Sequence, residues 1–322
     1  MTDPRPFVHE SVLLDRVLEL FAPVPSGTIV DATLGGAGHA AALLEARSDL
    51  RILGLDQDPF ALAAAQARLA EFGDRATAVH ARFDQLATVV AAAGAASQPI
   101  VGVLFDLGVS SPQFDRPERG FSYRNDAPLD MRMDTTRPRT AADLVNGLDE
   151  RELASLLRRY SDERFATRIA RSIVHARPVT TTAQLSALVV ESIPAPARRK
   201  GGHPAKRTFQ ALRIALNEEL DVIPPALDAA IDVVVPGGRV LAITFHSGED
   251  RLVKERFRRA EDGGCTCPPG LPCVCGAVAE ARLLKRGGWA PTAEETARNP
   301  RAASARLRAV EKLPARPVED QR

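Results

Sequence analysis

The stretch DATLGGAGH at residues 31–39 decides the fold class of this chain. It joins a buried-strand pattern at 27–33 to a helix pattern at 37–47. Glycines at such a turn let the backbone approach a ligand closely and point amide groups toward it. Gly36, Gly38 and Ala41 also satisfy the spacing of a dinucleotide fingerprint, with Asp56 suitably placed downstream to hold ribose hydroxyls. The turn therefore predicts a nucleotide-type cofactor site, with NAD as one candidate ligand.

Strand and helix patterns alternate beyond this turn. Strands are predicted at 51–56, 76–80 and 100–106, and such alternation is typical of a parallel sheet with crossover helices. Residues 107–139 lack a sustained period, 140–205 show helical spacing, and sheet-type sequence returns at 239–245. We predict an α/β, Rossmann-like domain interrupted by an α-helical substrate-binding insertion. The predicted parts are 1–110, 111–210 with its leading loop, and 211–322.

Charge is distributed unevenly over the 322 residues, although the formal net charge is only +1. Residues 1–150 contain 13 basic against 21 acidic side chains, whereas residues 151–213 contain 13 against 4. The basic segment predicts a contact with a polyanion, and a solvated helical face is the alternative. No run of about 18 apolar residues is present. We therefore expect a cytoplasmic protein without a membrane partner.

Acidic residues end three of the predicted strands, namely Asp31, Asp56 and Asp106. Ligands of open α/β sheets bind beyond the carboxyl ends of the strands. Carboxylates suit the ribose and the sulfonium of S-adenosylmethionine, whereas the pyrophosphate of NAD is itself negative. The acidic strand ends therefore favour S-adenosylmethionine. The turn Ser110-Ser111-Pro112 resembles the Ser/Asn/Asp-Pro-Pro-aromatic loop of amino-methyltransferases, without its second proline and its aromatic residue.

Further motifs run in order along nearly the whole chain. Besides the glycine turn they are HESVLLD at 9–15, DLGVSSPQ at 106–113, ERGFS at 118–122, PLDMRMD at 128–134, ERFA at 163–166, RTFQALR at 207–213, FHS at 245–247 and NPRA at 299–302. Together they resemble the MraW/RsmH family, which methylates N(4) of a cytosine in small-subunit (16S) ribosomal RNA. One departure is Gly248, where the family usually has Leu.

The resemblance implies an S-adenosylmethionine-dependent rRNA (cytosine-N(4)) methyltransferase and a set of cofactor contacts. Those contacts are Ala37, Gly38, His39, Asp56, Phe83, Asp106 and Gln113. A cytosine amine must be held in line with the methyl group while its N–H hydrogens are accepted. We expect Asp106, Ser110 and Ser111 to serve as these catalytic acceptors. No cysteine lies near the fourth-strand motif, which argues against a covalent cysteine intermediate.

The inserted helices resemble the substrate-binding domain of the family, and RNA affinity comes largely from phosphate neutralisation. The predicted RNA-binding residues are Arg198, Arg199, Lys200, Lys206 and Arg207, with an exposed hinge as the alternative. The expected partner is 16S ribosomal RNA or the small ribosomal subunit. A monomer and a homodimer both remain open.

All four cysteines lie within eleven residues: Cys265, Cys267, Cys273 and Cys275. Four thiolates suit a structural zinc ion, but the spacing is tighter than the common Cys-x-x-Cys knuckle. We favour unligated thiols in a proline-stiffened loop and keep zinc as the second interpretation.

Other functions stay open at this point. A DNA amino-methyltransferase is disfavoured because no separate sequence-reading module is evident. A non-catalytic, adenosylmethionine-dependent RNA-binding assembly factor and an NAD oxidoreductase are further alternatives.

Overall fold

The computed structural model describes residues 11–93, 98–198, 202–268 and 274–315. The chain divides into two compact units. An α/β unit comprises Met1–Gly108 and Val222–Arg322, and a helical unit comprises Val109–Asp221. The helical unit is thus inserted in the sequence of the α/β unit. The boundary placed at 210 from the sequence falls inside a helix that spans Lys206–Asn217.

The α/β unit contains a seven-stranded sheet with the order β3-β2-β1-β4-β5-β7-β6. Strands β1 to β5 pair in parallel, whereas β7 pairs antiparallel with both β5 and β6. The strands are β1 Gly27–Asp31, β2 Leu50–Asp56, β3 Ala76–His80, β4 Ile100–Asp106, β5 Arg239–Thr244, β6 Ala281–Leu283 and β7 Arg306–Lys312.

Fourteen α-helices lie in the described part of the chain, and α5 to α11 form the helical unit. They are α1 Leu14–Phe21, α2 Gly38–Ala46, α3 Pro59–Leu69, α4 Leu86–Ala92, α5 Ser111–Asp115, α6 Ala141–Gly147, α7 Glu150–Ser161, α8 Ala166–His175, α9 Thr182–Ser192, α10 Ala195–Arg198, α11 Lys206–Asn217, α12 Ile223–Val233, α13 Ser247–Asp262 and α14 Ala293–Arg298.

The centre of the sheet is apolar, as a sheet covered on both faces requires. All five residues of β1 are buried, and β4 is buried from Ile100 to Phe105. Strand order reverses between β1 and β4, because β2 and β3 follow on one side and β5 on the other. A crevice at the carboxyl ends of strands forms at such a switch point. The predicted α/β, Rossmann-like class is confirmed.

The antiparallel pair β6 and β7 was not predicted from the sequence. Strand β7 contains alternating charges that hide its burial pattern, although Leu307 to Val310 are all buried. Arg308 is buried because its guanidinium donates to both carboxylate oxygens of Asp250, at 2.8 and 2.9 Å. A buried arginine needs such a bidentate partner, and the partner lies 58 residues away in sequence.

The helical unit has its own core, and side-chain caps begin several of its helices. Thr140, Asp149 and Thr181 each accept a backbone N–H in the first turn of the helix that follows, in α6, α7 and α9. The core includes Leu153 and Leu157 from α7, at the predicted helical spacing. The predicted helical character of 140–205 is therefore confirmed for its described residues.

The segment 107–139 follows an ordered path despite its lack of periodicity. The buried guanidinium of Arg119 donates to the carbonyls of Arg132 and Met133. Asn217 of α11 accepts from the N–H of Met133 at 2.8 Å and donates to the carbonyl of Met131 at 2.9 Å. Side chains thus replace secondary structure as partners of this backbone.

Candidate functional site

The glycine turn after β1 is fixed by a carboxylate from β2. Asp56 accepts the backbone N–H of Gly35 through Oδ2 at 2.7 Å and that of Asp58 through Oδ1 at 2.8 Å. Burial raises the pKa of Asp56 to about 6, although these two hydrogen bonds lower it. Asp56 is therefore mostly ionised at neutral pH, and each oxygen keeps a further lone pair for a ligand hydroxyl.

The space around the turn differs between two of its glycines. A Cβ on Gly38 would lie 2.0 Å from Oγ of Ser11, so the start of α2 can pack there only without a side chain. A Cβ on Gly36 would meet no atom within 4 Å. The turn thus presents open space at Gly36 beside the first amides of α2, which is where backbone N–H groups lack helical partners.

The end of β1 carries the buried carboxyl group of Asp31, and the end of the neighbouring β4 carries the half-buried carboxyl group of Asp106. Burial raises the pKa of Asp31 to about 7, and the negative charge of Asp56 adds to the shift. Burial likewise raises the pKa of Asp106 to about 8, with further contributions from Asp31 and Glu249. Four acidic side chains therefore face one edge of the sheet. A cation at this edge would favour the ionised forms, whereas an anion would meet repulsion.

Asp106 is held precisely at its backbone. Its N–H donates to Oγ1 of Thr33 at 2.6 Å, which ties the end of β4 to the turn after β1. Its Oδ2 lies 3.9 Å from Nδ1 of His39, whose Nε2 donates to the carbonyl of Val12 at 3.0 Å. Its Oδ1 is buried and has no hydrogen-bond partner among the described residues. A buried acceptor in that condition is expected to receive a donor from a ligand.

Glu249, in the first turn of α13, is a residue whose role the sequence did not reveal. It is buried, and its Oε2 accepts the N–H groups of Phe245 and His246 at 2.7 and 3.2 Å. Its Oε1 lies 3.1 Å from Nε2 of His246. The sequence signal at this position was that Glu249 is retained in the family motif that begins at Phe245 and departs from the family at Gly248. Glu249 therefore adds to the negative potential around Asp106 and shapes the loop after β5.

An aromatic side chain is available near the acidic edge. Phe83 follows β3 and packs edge to face on Phe105 of β4, with ring centroids 5.8 Å apart. Phe105 is buried, whereas Phe83 is only half-buried. Part of the Phe83 side chain is thus accessible, and an aromatic ring is suited to cover an adenine.

Comparison with known proteins places the chain in a family. The model described as the MraW methylase family matches residues 6–313. The chain belongs to the MraW methylase family. A protein named ribosomal RNA small subunit methyltransferase H from Symbiobacterium thermophilum is 53% identical over 314 residues, which cover 96% of this chain and 98% of that protein. A protein of the same name from Heliobacterium modesticaldum is 50% identical over 312 residues, which cover 95% and 99%.

Among solved structures, a putative rRNA methylase from Clostridium thermocellum aligns with 95% of this chain and all of that protein, at 13% identity and a TM-score of 0.44. The family assignment therefore rests on the sequence relatives. Membership in the MraW methylase family confirms the predicted resemblance, the methyltransferase activity and S-adenosylmethionine as the methyl donor. The residues at the carboxyl edge fit this cofactor, because they combine an acidic rim, an open glycine turn and a half-buried aromatic side chain.

The predicted cofactor contacts of this MraW methylase family member fall in both units. Six of them lie at the carboxyl edge of the sheet in the α/β unit: Ala37, Gly38, His39, Asp56, Phe83 and Asp106. Gln113 belongs to the helical unit, where its Oε1 accepts the N–H of Ser110 at 3.0 Å at the start of α5. Ser110 and Ser111 also lie in the helical unit. The roles of these residues remain predictions.

The predicted RNA contacts lie in different surroundings. Lys206 lines a cleft of about 590 Å³ together with Tyr123, Arg124, Gly202 and His203. The guanidinium of Arg198 donates to the carbonyl of Ile193 at 2.6 Å, and that of Arg207 donates to the carbonyl of Asp162 at 3.2 Å. Arg199 and Lys200 lie outside the described residues, as do positions 9 and 10 of the first motif.

Sequence reasoning missed the aromatic side of this cleft. Tyr123 and His203 stack with ring centroids 4.4 Å apart and planes 11° apart, and Phe209 packs edge to face on Tyr123 at 5.7 Å. The sequence indicated only basic side chains on a glycine-containing loop at this place. The cleft therefore offers stacking surfaces as well as charge.

Among the described helices, none combines the length and apolar character that a membrane span requires.

Proposed function

We propose that this chain transfers a methyl group from S-adenosylmethionine to the exocyclic amine N(4) of a cytosine in 16S ribosomal RNA. Its membership in the MraW methylase family and the names of its relatives, which are small-subunit rRNA methyltransferases, support this substrate. The observation that carries the chemistry is the unpartnered, buried Oδ1 of Asp106 at the switch point of the sheet.

The cofactor is held by residues at the carboxyl edge. Asp56 binds the ribose hydroxyls through the lone pairs that Gly35 and Asp58 leave open. Phe83 covers the adenine, and the family resemblance adds Gln113 to the proposed cofactor contacts. The backbone of Ala37, Gly38 and His39 lies beside the methionine portion at the start of α2, where the N–H of Ala37 already donates to the carbonyl of Leu34. When bound, S-adenosylmethionine supplies a methyl group activated by a positively charged sulfur.

Asp106 acts on the amine of the cytosine. The lone pair of that amine is delocalised into the ring, so the enzyme must accept its N–H hydrogens to localise the pair. The positive sulfur of the bound donor favours the ionised form of Asp106, whose carboxylate then accepts one N–H. A hydroxyl or carbonyl of Ser110 or Ser111 is proposed to accept the other. The amine nitrogen forms the new bond to carbon, the sulfur keeps the electron pair of the broken bond, and the excess proton leaves through Asp106 or water. The negative charges of Asp31 and Glu249 favour a cationic donor nearby.

The helical unit binds the RNA. It contains residues 151–213, which have 13 basic and 4 acidic side chains. Its cleft combines Lys206 and Arg124 with the stacked pair Tyr123 and His203. Single-stranded RNA is bound by exactly such a combination of aromatic faces and cations. The target base leaves any stack to reach the site. Methylation of free 16S RNA and of assembled small subunits, compared side by side, distinguishes the two substrate forms, and gel filtration with light scattering distinguishes a monomer from a homodimer.

The deciding experiment incubates the protein and labelled S-adenosylmethionine with 16S RNA, assembled small subunits or DNA of matched sequence, followed by nucleoside analysis. N(4)-methylcytidine in RNA is the expected product, and the Asp106→Asn variant is the matched control. Methylated DNA alone would establish the DNA amino-methyltransferase. Cofactor and RNA binding without any methylated nucleoside would establish a non-catalytic assembly factor. Calorimetry with adenosylhomocysteine and NADH tests the oxidoreductase, since NADH should not bind the acidic rim.

A further inference from the structure

The segment between α13 and β6 brings three cysteine side chains together in the α/β unit. The Sγ atoms of Cys265, Cys267 and Cys275 all lie within 4.8 Å of one another, and those of Cys265 and Cys275 are 3.6 Å apart. Sulfurs in a disulfide are about 2.05 Å apart, so these are separate thiols. Two thiolates on a tetrahedral zinc ion, each at about 2.3 Å, lie about 3.8 Å from each other. The observed spacing matches ligands of one ion.

A backbone donor supports the thiolate form of this cluster. The N–H of Val274 points to Sγ of Cys267 at 3.4 Å. A hydrogen bond to sulfur favours the charged thiolate over the thiol, which is the form that binds metal. This contact also folds residue 274 back onto residue 267, so that Cys275 reaches Cys265.

Packing does not account for the convergence of the sulfurs. The two ends of the segment meet at its base, where Glu280 donates its N–H to the carbonyl of Ala260 and Gly263 passes close to Val278. Beyond that base Val274 is 88% exposed, Cys275 is exposed, and Cys265 and Cys267 are only half-buried. The described residues of the segment therefore remove little apolar area from water, so their hydrophobic burial contributes little to holding the sulfurs in place.

We propose that Cys265, Cys267 and Cys275 bind one zinc ion as thiolates and that this ion clips the segment between α13 and β6. Thiolate sulfur is a preferred ligand of zinc, which needs no redox partner and releases only the thiol protons on binding. The fourth cysteine, Cys273, lies outside the described residues, and the proposal does not depend on it. The proposed zinc site takes no part in methyl transfer, because none of the proposed cofactor or catalytic residues belongs to it.

The test measures zinc in the full-length protein purified under reducing conditions. Elemental analysis should find about one zinc per chain, and competition with a chromophoric chelator gives the dissociation constant. Cys265→Ser, Cys267→Ser and Cys275→Ser should each raise that constant at least about a hundredfold, because a ligand is lost. Val274→Ala is the matched control: it keeps the N–H donor and should keep the zinc. Cobalt(II) replacing the zinc should show sulfur-to-metal charge transfer in the wild type, and the band should be weaker and need more cobalt to saturate in each serine variant.

A second measurement separates a clip from adventitious binding. A strong chelator should accelerate proteolytic cleavage between residues 263 and 280 in the wild type, whereas each serine variant should be cleaved fast with or without chelator. The proposal is overturned if the zinc-loaded wild type retains no metal after gel filtration. Serine variants that hold zinc as tightly as the wild type would also overturn it. So would a Cys265–Cys275 disulfide that is the only form found in protein purified under reducing conditions.

Discussion

The backbone N–H of Asp106 donates to Oγ1 of Thr33 across 2.6 Å, so the end of β4 is tied to the turn that follows β1. This bond fixes the strand end from which the Asp106 carboxyl group projects. One oxygen of that group then lies buried without a hydrogen-bond partner in the described part of the chain. A preorganised acceptor of this kind costs no rearrangement when a substrate donor arrives.

The first prediction concerns the catalytic role of Asp106. Asp106→Asn keeps the shape of the side chain but removes the negative charge that accepts the amine hydrogen. Single-turnover methyl transfer at saturating RNA and cofactor should fall at least about tenfold, equivalent to about 1.4 kcal/mol. Ser110→Ala and Ser111→Ala should lose less. If the Asn variant is slow only below cofactor saturation, Asp106 binds cofactor and has no catalytic role.

The second prediction concerns Asp56 and the ribose. Asp56→Asn retains an oxygen for the N–H of Gly35, so it disturbs the glycine turn less than alanine would. Loss of a charge-assisted hydrogen bond costs about 1.5 to 3 kcal/mol, so calorimetry should show adenosylhomocysteine binding weakened by one to two orders of magnitude. The control is Asp74→Asn, an exposed residue paired with Arg51. Equal affinity of the two variants would remove Asp56 from the cofactor site.

The third prediction concerns pH. Asp31 and Asp106 have pKa values raised to about 7 and about 8, so both gain negative charge as the pH rises through that range. The charge attracts the sulfonium of S-adenosylmethionine but not the neutral sulfur of adenosylhomocysteine. Affinity for the former relative to the latter should therefore increase up to about tenfold between about pH 6 and pH 9. Asp106→Asn should flatten this dependence, and a ratio that is constant in the wild type would contradict it.

The fourth prediction concerns phosphate contacts. Joint neutralisation of Arg198, Arg199, Lys200, Lys206 and Arg207 should weaken RNA binding and reduce its dependence on salt. The slope of log affinity against log salt should fall by up to about 0.7 to 0.9 for each lost phosphate contact. Arg258→Ala in α13 is the control, since this arginine is exposed in the other unit. An unchanged slope would show that the five residues do not contact phosphates and belong to an exposed hinge.

The fifth prediction separates stacking from charge in the cleft of the helical unit. Tyr123→Leu removes an aromatic face that stacks on His203, and each stacked base contributes about 1 to 3 kcal/mol. RNA affinity should fall about fivefold to 150-fold while the salt slope stays the same. Tyr160, the other tyrosine of the chain, provides the matched control as Tyr160→Leu. If both variants bind RNA equally well, the cleft does not contact a base.

Local sequence determined the parallel part of the sheet, β1 to β5. Strands β3 and β4 lie at the predicted residues, and the glycine turn joins a strand to a helix as expected. These elements depend on short apolar runs and on turn residues, which act over a few positions. The same reasoning placed acidic residues at three strand ends, because chain order alone puts the carboxyl ends of parallel strands at one edge.

Only the tertiary structure decided what surrounds those residues. The raised pKa of Asp106 depends first on burial and then on the charges of Asp31 and Glu249, which are 75 and 143 residues away in sequence. The burial of Arg308 in strand β7 depends on Asp250, whose carboxylate neutralises it. The stacking of Tyr123 on His203 and the convergence of three thiols likewise join residues through space. Periodicity and motifs report local preference, whereas electrostatic environment and ligand geometry are set by contacts between segments that the sequence separates.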